Sequence, residues 1–462
     1  MAVEGPVEGV QAGPEAGPVA DVSVVLSVPA GFGWDPDFNL IRTGARSFST
    51  DLVVSTLAPA TTATFYANAA RPNNTGNGTT GATAEQAIWA ALNDVSPGVH
   101  AKLYILGSSD PLNPTLYPWT KAWRVGTSAN LHVVVVSDFS TLAPGYALSS
   151  TALVEGDGEL GTWGIAGGDG PNVYAATLVT APGRCIDAAT RDADGVPVAL
   201  TLQTSIALVE ANPGSYYHAG GVLYVRTSDS RDPDADLRPL RGGTSVNGLV
   251  NGARTVYLER LSFEGGGPAR VFQVSDGNAV LVDCDVTHGT ALGWEMNIPG
   301  TTTNATRTAH LVRCRFISNA GDGAGYAASG ANMTLRGFEW GCTYARNSGA
   351  GTDQGGSGHV DPVPGGQSCS IIRLEPVTSD NKSHGFADVG GCTTWILGGT
   401  VSDESAGVHQ GDGGTAWIQG TVFSGNTVDL QTDDAAGQIY VSDVRYDRTK
   451  VDGPGTVSSY IP

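Results

Sequence analysis

Short apolar runs recur along the C-terminal half of the chain. They read VYLERLSF from Val256, AVLVDCDV from Ala279, AHLVRCRF from Ala309 and MTLRGFEW from Met333. The series continues with CSIIRLEP from Cys369, TTWILGGT from Thr393, TAWIQGTV from Thr415 and QIYVSDVR from Gln438. Their starts are 23, 30, 24, 36, 24, 22 and 23 residues apart, so five of seven intervals lie between 22 and 24. The other two are one repeat plus 7 and 13 residues. The third position of each run is large and apolar: Leu258, Leu281, Leu311, Leu335, Ile371, Trp395, Trp417 and Tyr440. In a strand such a residue points inward while its neighbours point out. Eight runs at one period therefore predict one strand per coil, stacked in parallel as a solenoid. Cys284 and Cys314, both at the sixth position, read as a stacked interior column.

A second, weaker column follows each run: Gly293-Trp294-Glu295, Gly325-Tyr326-Ala327, Gly351-Thr352-Asp353, Gly385-Phe386-Ala387, Gly407-Val408-His409 and Asp429-Leu430-Gln431. The middle residue is expected inside and the residue after it in solvent. Gly, Asn and Asp between the runs suit tight corners, where a positive φ is often needed. A helical bundle does not fit short, Gly-bounded runs, and a propeller blade needs about 40 residues. The expected fold is all-β: a single right-handed parallel β-helix.

Upstream, residues 64–68 (TFYAN) are followed by a polar loop and then by TAEQAIWAAL from Thr83. Thr83 and Gln86 have capping-box spacing, and Ile88, Ala91, Leu92 and Val95 share a helical face. This predicts a short N-terminal capping helix that closes the open first coil. Residues 1–60 read as an anchor, an arm or a small module, with strand-like runs at 22–28 and 52–57. Residues 61–250 read as the cap and irregular early coils, with strand candidates at 131–136, 176–179, 198–202 and 222–226. Residues 251–446 read as regular coils, and 447–462 as a tail.

Phe65-Tyr66-Ala67-Asn68 with the helix at 83–92 resembles the opening of pectate-lyase-like right-handed β-helix proteins. So do Asn212-Pro213-Gly214-Ser215-Tyr216-Tyr217, Gly221-Val222-Leu223-Tyr224-Val225-Arg226, and the coil holding Val256-Tyr257-Leu258 and Leu261-Ser262-Phe263-Glu264-Gly265. The resemblance covers roughly residues 64–445. It implies the fold, and a superfamily that spans lyases, hydrolases, esterases, epimerases and non-catalytic virion spikes. No catalytic motif of that superfamily matches, so it transfers no catalytic residue, and fold alone does not give function.

Composition narrows the partners. Glycine makes up 64 of 462 residues, and 40% of the chain is hydrophobic, so it is turn-rich but able to build a core. The formal charge of −20 and the lack of a basic cluster disfavour nucleic acid and anionic membrane surfaces. No apolar run approaches the roughly 20 residues that span a bilayer, and the first residues lack the basic and apolar regions of a secretory signal. Six scattered cysteines with no CxxC predict buried free thiols rather than zinc ligands or disulfides.

Candidate chemistry concentrates on the outward column. With coils about 4.8 Å apart, Glu295 and Asp353 are expected two coils apart, roughly 9.5 Å. That lies at the upper end of the carboxyl separation in an inverting glycosidase, so these two form the candidate catalytic pair. The two insertions fall in the same coils and would wall a groove. Asp322, His359, Asp361, His384, Asp388 and His409 are candidates to line it. Lys382 and His384 are the candidate bases for a lyase. Trp119, Trp123 and Tyr117 are candidates to stack on sugar faces. No cofactor is expected, although the acidic stretches Asp192-Ala193-Asp194 and Asp229–Asp236 have the ligand type for Ca²⁺. GDGELG at 156–161 matches GxGxxG, but its acidic residues would repel a phosphate.

Two readings follow. In one, this is a bacteriophage virion protein of the tailspike or fibre kind. It would be a homotrimer that attaches to other virion proteins through its N-terminal segment and recognises host glycans. In the other, it is a polysaccharide-degrading lyase or glycoside hydrolase, extracellular in location.

Overall fold

The computed structural model describes residues 23–96, 98–118, 129–150, 160–166, 171–234, 236–241, 248–251, 254–265, 270–298, 301–328, 332–347, 368–447 and 451–460. The chain is a parallel β-helix. Among the described residues, the regular coils contribute strands to three sheets. The first sheet has twelve parallel strands, from Ala63–Ala67 at one end to Thr456–Ser459 at the other. The second has ten, from Thr115–Pro118 to Arg445–Tyr446. The third is described in two four-stranded pieces. One runs from Gly248–Asn251 to Ala324–Ala328, the other from His384–Asp388 to Val451–Asp452.

The repeat read from the sequence is the first-sheet strand of each coil. The corner that follows it is built alike every time: Arg260, Asp283, Arg313, Gly341, Glu375, Gly398, Gly420 and Asp443 all have φ between 51° and 72°. Glycine adopts this conformation freely, whereas Arg and Glu do so at a cost of roughly 1 kcal/mol or more. Stacking therefore dictates the corner, and the local sequence follows. Inside, Cys284, Cys314 and Cys342 follow one another up the coils, and all six cysteines are free and buried.

Register alters the reading of the third position. The inward column is Leu258, Leu281, Leu311, Glu339, Arg373, Ile396, Ile418 and Val441. The neighbouring outward column is Tyr257, Val280, His310, Phe338, Ile372, Trp395, Trp417 and Tyr440. Leu258, Leu281 and Leu311 thus point inward as expected, but Trp395, Trp417 and Tyr440 point out. Their apolar character has a different cause: residues 23–58 form a strap that lies along this face. Phe32 meets Trp395 and Trp417 edge-on, Phe38 packs on His310 and Phe338, and Val54, Leu57 and Ala58 cover Tyr257 and Val280. A small antiparallel sheet of Val24–Val25, Leu40–Arg42 and Phe48–Thr50 stiffens the strap. Polar ties fix its central hairpin: Arg42 to Asp443 at 2.7 Å, and the Phe48 N–H to Glu375 at 2.6 Å.

The N-terminal cap is present with a different start. The helix is Ile88–Asn93, and its N-cap Ala87 makes no side-chain hydrogen bond. The capping box belongs instead to Thr80 and Thr83, around a one-turn 3₁₀ helix. Ile88, Ala91, Leu92 and Val95 bury against the end of the solenoid core.

Strands Ala101–Leu106, Thr115–Pro118, Leu131–Val136 and Ala147–Ser150 are early coils, as expected, but the segment that follows them is not. Strand Leu131–Val136 pairs directly with Thr255–Glu259, so the solenoid closes across the intervening segment. The strand candidates at 176–179, 198–202 and 222–226 fall in a separate, mainly antiparallel lobe. Its core contains Leu160, Leu178, Cys185, Tyr216, Leu223 and Val225. The lobe leaves the solenoid after second-sheet strand Ala147–Ser150 and returns at third-sheet strand Gly248–Asn251. It then lies along the turns between these two sheets. Val196 packs on Ile317 and Ala345, Arg184 donates to the Ser318 carbonyl, Arg238 pairs with Glu264 at 2.7 Å, and Arg346 pairs with Asp192 at 2.8 Å.

Those same turns carry an amide ladder. The Asn319 N–H donates to Asn347 Oδ1 at 3.0 Å, and the Asn347 N–H donates to Asn381 Oδ1 at 2.9 Å. One rung is irregular: Glu404 receives the Asn381 amide at 2.9 Å, and its own N–H donates to Asn426 Oδ1 at 3.0 Å. Burial pushes the Glu404 carboxyl up to about 8.

Two predictions follow from this packing. Phe48→Ala, which strips the strap from its seat beside Gly420, lowers stability by about 3 kcal/mol, read as a fall in the urea midpoint. A carboxyl raised in the folded state costs stability as pH rises from its ordinary value through its folded value. Glu404 therefore weakens the fold between about pH 4.5 and 8. Glu404→Asn removes that share, on the order of 4 kcal/mol at pH 8, so its melting temperature falls less between pH 5 and 8 than that of the parent chain.

Candidate functional site

The first piece of the third sheet places Glu295 centrally. In strand Leu292–Ile298, Trp294, Met296 and Ile298 point into the core, which turns Glu295 to the outer face. It pairs with Gln273 on one side and Gly325 on the other. The Gln273 amide donates to Glu295 Oε2 at 2.9 Å, and the Asn297 amide donates to the same oxygen at 3.4 Å. Two amide donors on one oxygen suit a carboxylate acceptor. Gly325 adds no side chain above Glu295; a Cβ there would stand 3.9 Å from Glu295 Cγ. Glu295 is nonetheless only 6% exposed.

The second carboxyl is Asp322, from the adjacent coil. It lies between the amide-ladder residue Asn319 and strand Ala324–Ala328, and its carbonyl accepts the Gly293 N–H at 2.8 Å. The backbone on both sides of Asp322 is thereby tied to the coil that carries Glu295. Asp322 is 4% exposed. Burial first, and the charge of Glu295 second, push its carboxyl up to about 8. At neutral pH Asp322 therefore holds a proton that it can donate, beside a carboxyl arranged to accept. Two carboxyls with separated proton affinities are the requirement for acid–base work.

The remaining expected site residues scatter. Asp353, His359, Asp361, Trp119 and Trp123 lie outside the described residues, so the Glu295–Asp353 pairing has no geometry here. The offset behind that pairing is explicit: Trp294 pairs with Ala324 and Tyr326 with Met296, two residues away from the expected alignment. His384 and His409 do come together, on the second piece of the third sheet. Their rings stack at 4.5 Å, His384 Nδ1 lies 2.7 Å from Ser383 Oγ, and His409 Nε2 lies 2.8 Å from Asp433. Lys382 is exposed beside them.

Two expectations are corrected. Asp388 does not face a ligand groove. It is fully buried within the solenoid, where both its oxygens accept from Arg373 at 2.8 and 2.9 Å. Arg373 also reaches Glu339 at 3.2 Å, and Glu339 receives the hydroxyls of Tyr326 and Tyr344 at 3.0 and 2.8 Å. A lone buried charge is unaffordable in such a core, so Asp388 is spoken for. Tyr117 is not exposed for sugar stacking either: it is buried, and its hydroxyl donates to the Leu106 carbonyl at 2.8 Å.

The acidic stretches serve the lobe. Asp192 and Asp194 contact Arg346, and Asp229 with Asp187 holds Arg231. Among the described residues, no group of three His, Cys, Asp or Glu is placed to hold a metal ion. No described helix is long and apolar enough to cross a membrane. Gln273 and Asn297 were missed as partners of Glu295. Gln273 lies upstream of the aligned glycines, and Asn297 lies beyond the three-residue column considered.

No family model matches the sequence, and no curated protein does. Among solved structures, one described as "Glycoside hydrolase" aligns with a TM-score of 0.48 and 10% identity, covering 86% of this chain and 96% of that one. A complex of XylC with xylose aligns at 0.43 and 7% identity, covering 83% and 69%. Pectate lyase Pel9A aligns at 0.35 and 12% identity, covering 87% and 82%. Likeness at this level carries no activity from those proteins to this chain.

The core role of Asp388 is testable. Asp388→Ala leaves Arg373 short of a partner and destabilises the fold by about 3–5 kcal/mol, measured by chemical unfolding. An Asp388 that served only a surface site would leave stability unchanged.

Proposed function

We propose that this protein is a glycoside hydrolase acting on a polysaccharide, with Asp322 as general acid and Glu295 as base or nucleophile. The observation that carries this reading is the split environment of the two carboxyls: Asp322 is raised to about 8 beside Glu295, which accepts two amide donors. Asp322 donates its proton to the glycosidic oxygen as the bond breaks. Glu295 either draws a proton from an attacking water or attacks the anomeric carbon itself, and the carboxyl separation in the reacting state selects between them. No observation among the described residues favours the virion-spike reading over this one.

The test is release of reducing ends from a panel of neutral and acidic polysaccharides. Asp322→Asn and Glu295→Gln each lower kcat/KM by about 10²-fold or more on the substrate that is cut. Activity falls as pH rises through about 8, where Asp322 loses its proton. Hydrolysis that survives both substitutions contradicts the assignment, and so does a panel left uncut.

A further inference from the structure

A cavity of about 560 Å³ lies between the strap and the C-terminal end of the first sheet, away from the carboxyl pair. Small-ligand sites span roughly 300–1,000 Å³. Its solenoid wall is the outward aromatic stripe of Trp395, Trp417 and Tyr440, joined by Tyr460, and its other wall is the strap at Ser27 and Gly31. Gly31 has φ +91°, a conformation that favours glycine, and it brings the strap backbone close to the Trp417 ring.

Three features make this cleft a built site. The rings are fixed in place: Trp417 stacks on Tyr440 at 5.7 Å, and Phe32 braces Trp395 and Trp417 edge-on at 6.1 and 6.0 Å. Trp395 is 1% exposed, and its indole N–H, at the cavity wall, is directed at the Tyr460 hydroxyl. The Tyr460 hydroxyl is itself buried, and its own proton has no acceptor. A buried donor left unmade costs about 1–3 kcal/mol, a penalty that a ligand acceptor would relieve. Finally, no charged residue lines the cleft, in a chain of net charge −20.

We propose that this cleft is a second binding site that takes a neutral saccharide. A sugar hydroxyl accepts from the Tyr460 O–H, which the Trp395 N–H holds in place, and the apolar face of the sugar ring lies against the aromatic wall. The absence of charge selects against uronates and phosphorylated or sulfated sugars. The site stands on the strap and is independent of the carboxyl pair, so either assignment can fail without the other.

The test titrates cellohexaose, xylohexaose and maltohexaose into the full chain carrying Glu295→Gln and Asp322→Asn, which abolish turnover under the proposed chemistry. Binding is followed by calorimetry and tryptophan fluorescence. At least one probe is expected to bind, with affinity reduced tenfold or more by Trp395→Phe and by Tyr460→Phe. Tyr460→Phe removes a single oxygen and is expected to leave the melting temperature within a few degrees, which separates lost binding from lost folding. Binding of every probe unchanged by both substitutions overturns the proposal, as does binding of none.

Discussion

Parallel, in-register stacking governs this molecule. Each strand hydrogen-bonds to the same element one coil away, so a residue placed in one coil must suit the residues above and below it. The clearest case is the inward column of the first sheet, where aliphatic residues give way to Glu339 and Arg373 in successive coils. Neither charge is tolerable alone at full burial. Together with Asp388 from the third sheet and two tyrosine hydroxyls, they form a satisfied network across the solenoid interior. Such a network contributes less to net stability than apolar packing would, but removing one member leaves the others exposed to the full desolvation cost.

Two appendages complete what stacking leaves unfinished. The outer face of the first sheet is apolar along much of its length, and the strap covers it from Tyr257 to Trp417. The lobe leaves the solenoid at the turn between the second and third sheets and folds back along the same turn in later coils. There the amide ladder through Asn319 and Asn347 holds the backbone, and Asp322 follows three residues after Asn319. The coil supplies Glu295, the ladder fixes the turn that supplies Asp322, and burial separates their proton affinities. The chemistry is thus a consequence of architecture: two carboxyls one coil apart, one of them placed where its charge is disfavoured.

The solenoid was legible because a 23-residue period survives in the apolar runs, and the Leu258, Leu281 and Leu311 column reads correctly. What failed was facing. Alternation identifies the inner face only when the outer face is wet, and the strap makes Trp395, Trp417 and Tyr440 as apolar as any core position. The lobe was hidden for a related reason: its strands have the composition of coils, and only the Leu131–Val256 pairing shows that the solenoid passes it by. Within the site, Glu295 stood out as a polar residue beside core aromatics. Asp322 was visible only as a loop acid, because its distinguishing property is burial next to another carboxyl, which no spacing encodes. Asp388 looked like its equal in sequence and belongs to the core.

The central claim is that Asp322 is a proton-holding acid because it is buried beside Glu295. The direct measurement is the Asp322 carboxyl titration, followed by carbon-13 NMR of the labelled side chain in the parent protein and in Glu295→Gln. The account predicts a midpoint near 8 in the parent. In Glu295→Gln it predicts a lower midpoint that stays above the ordinary aspartate range, since burial is the larger cause. A midpoint near 4 in the parent protein, or one that does not respond to loss of the Glu295 charge, contradicts it.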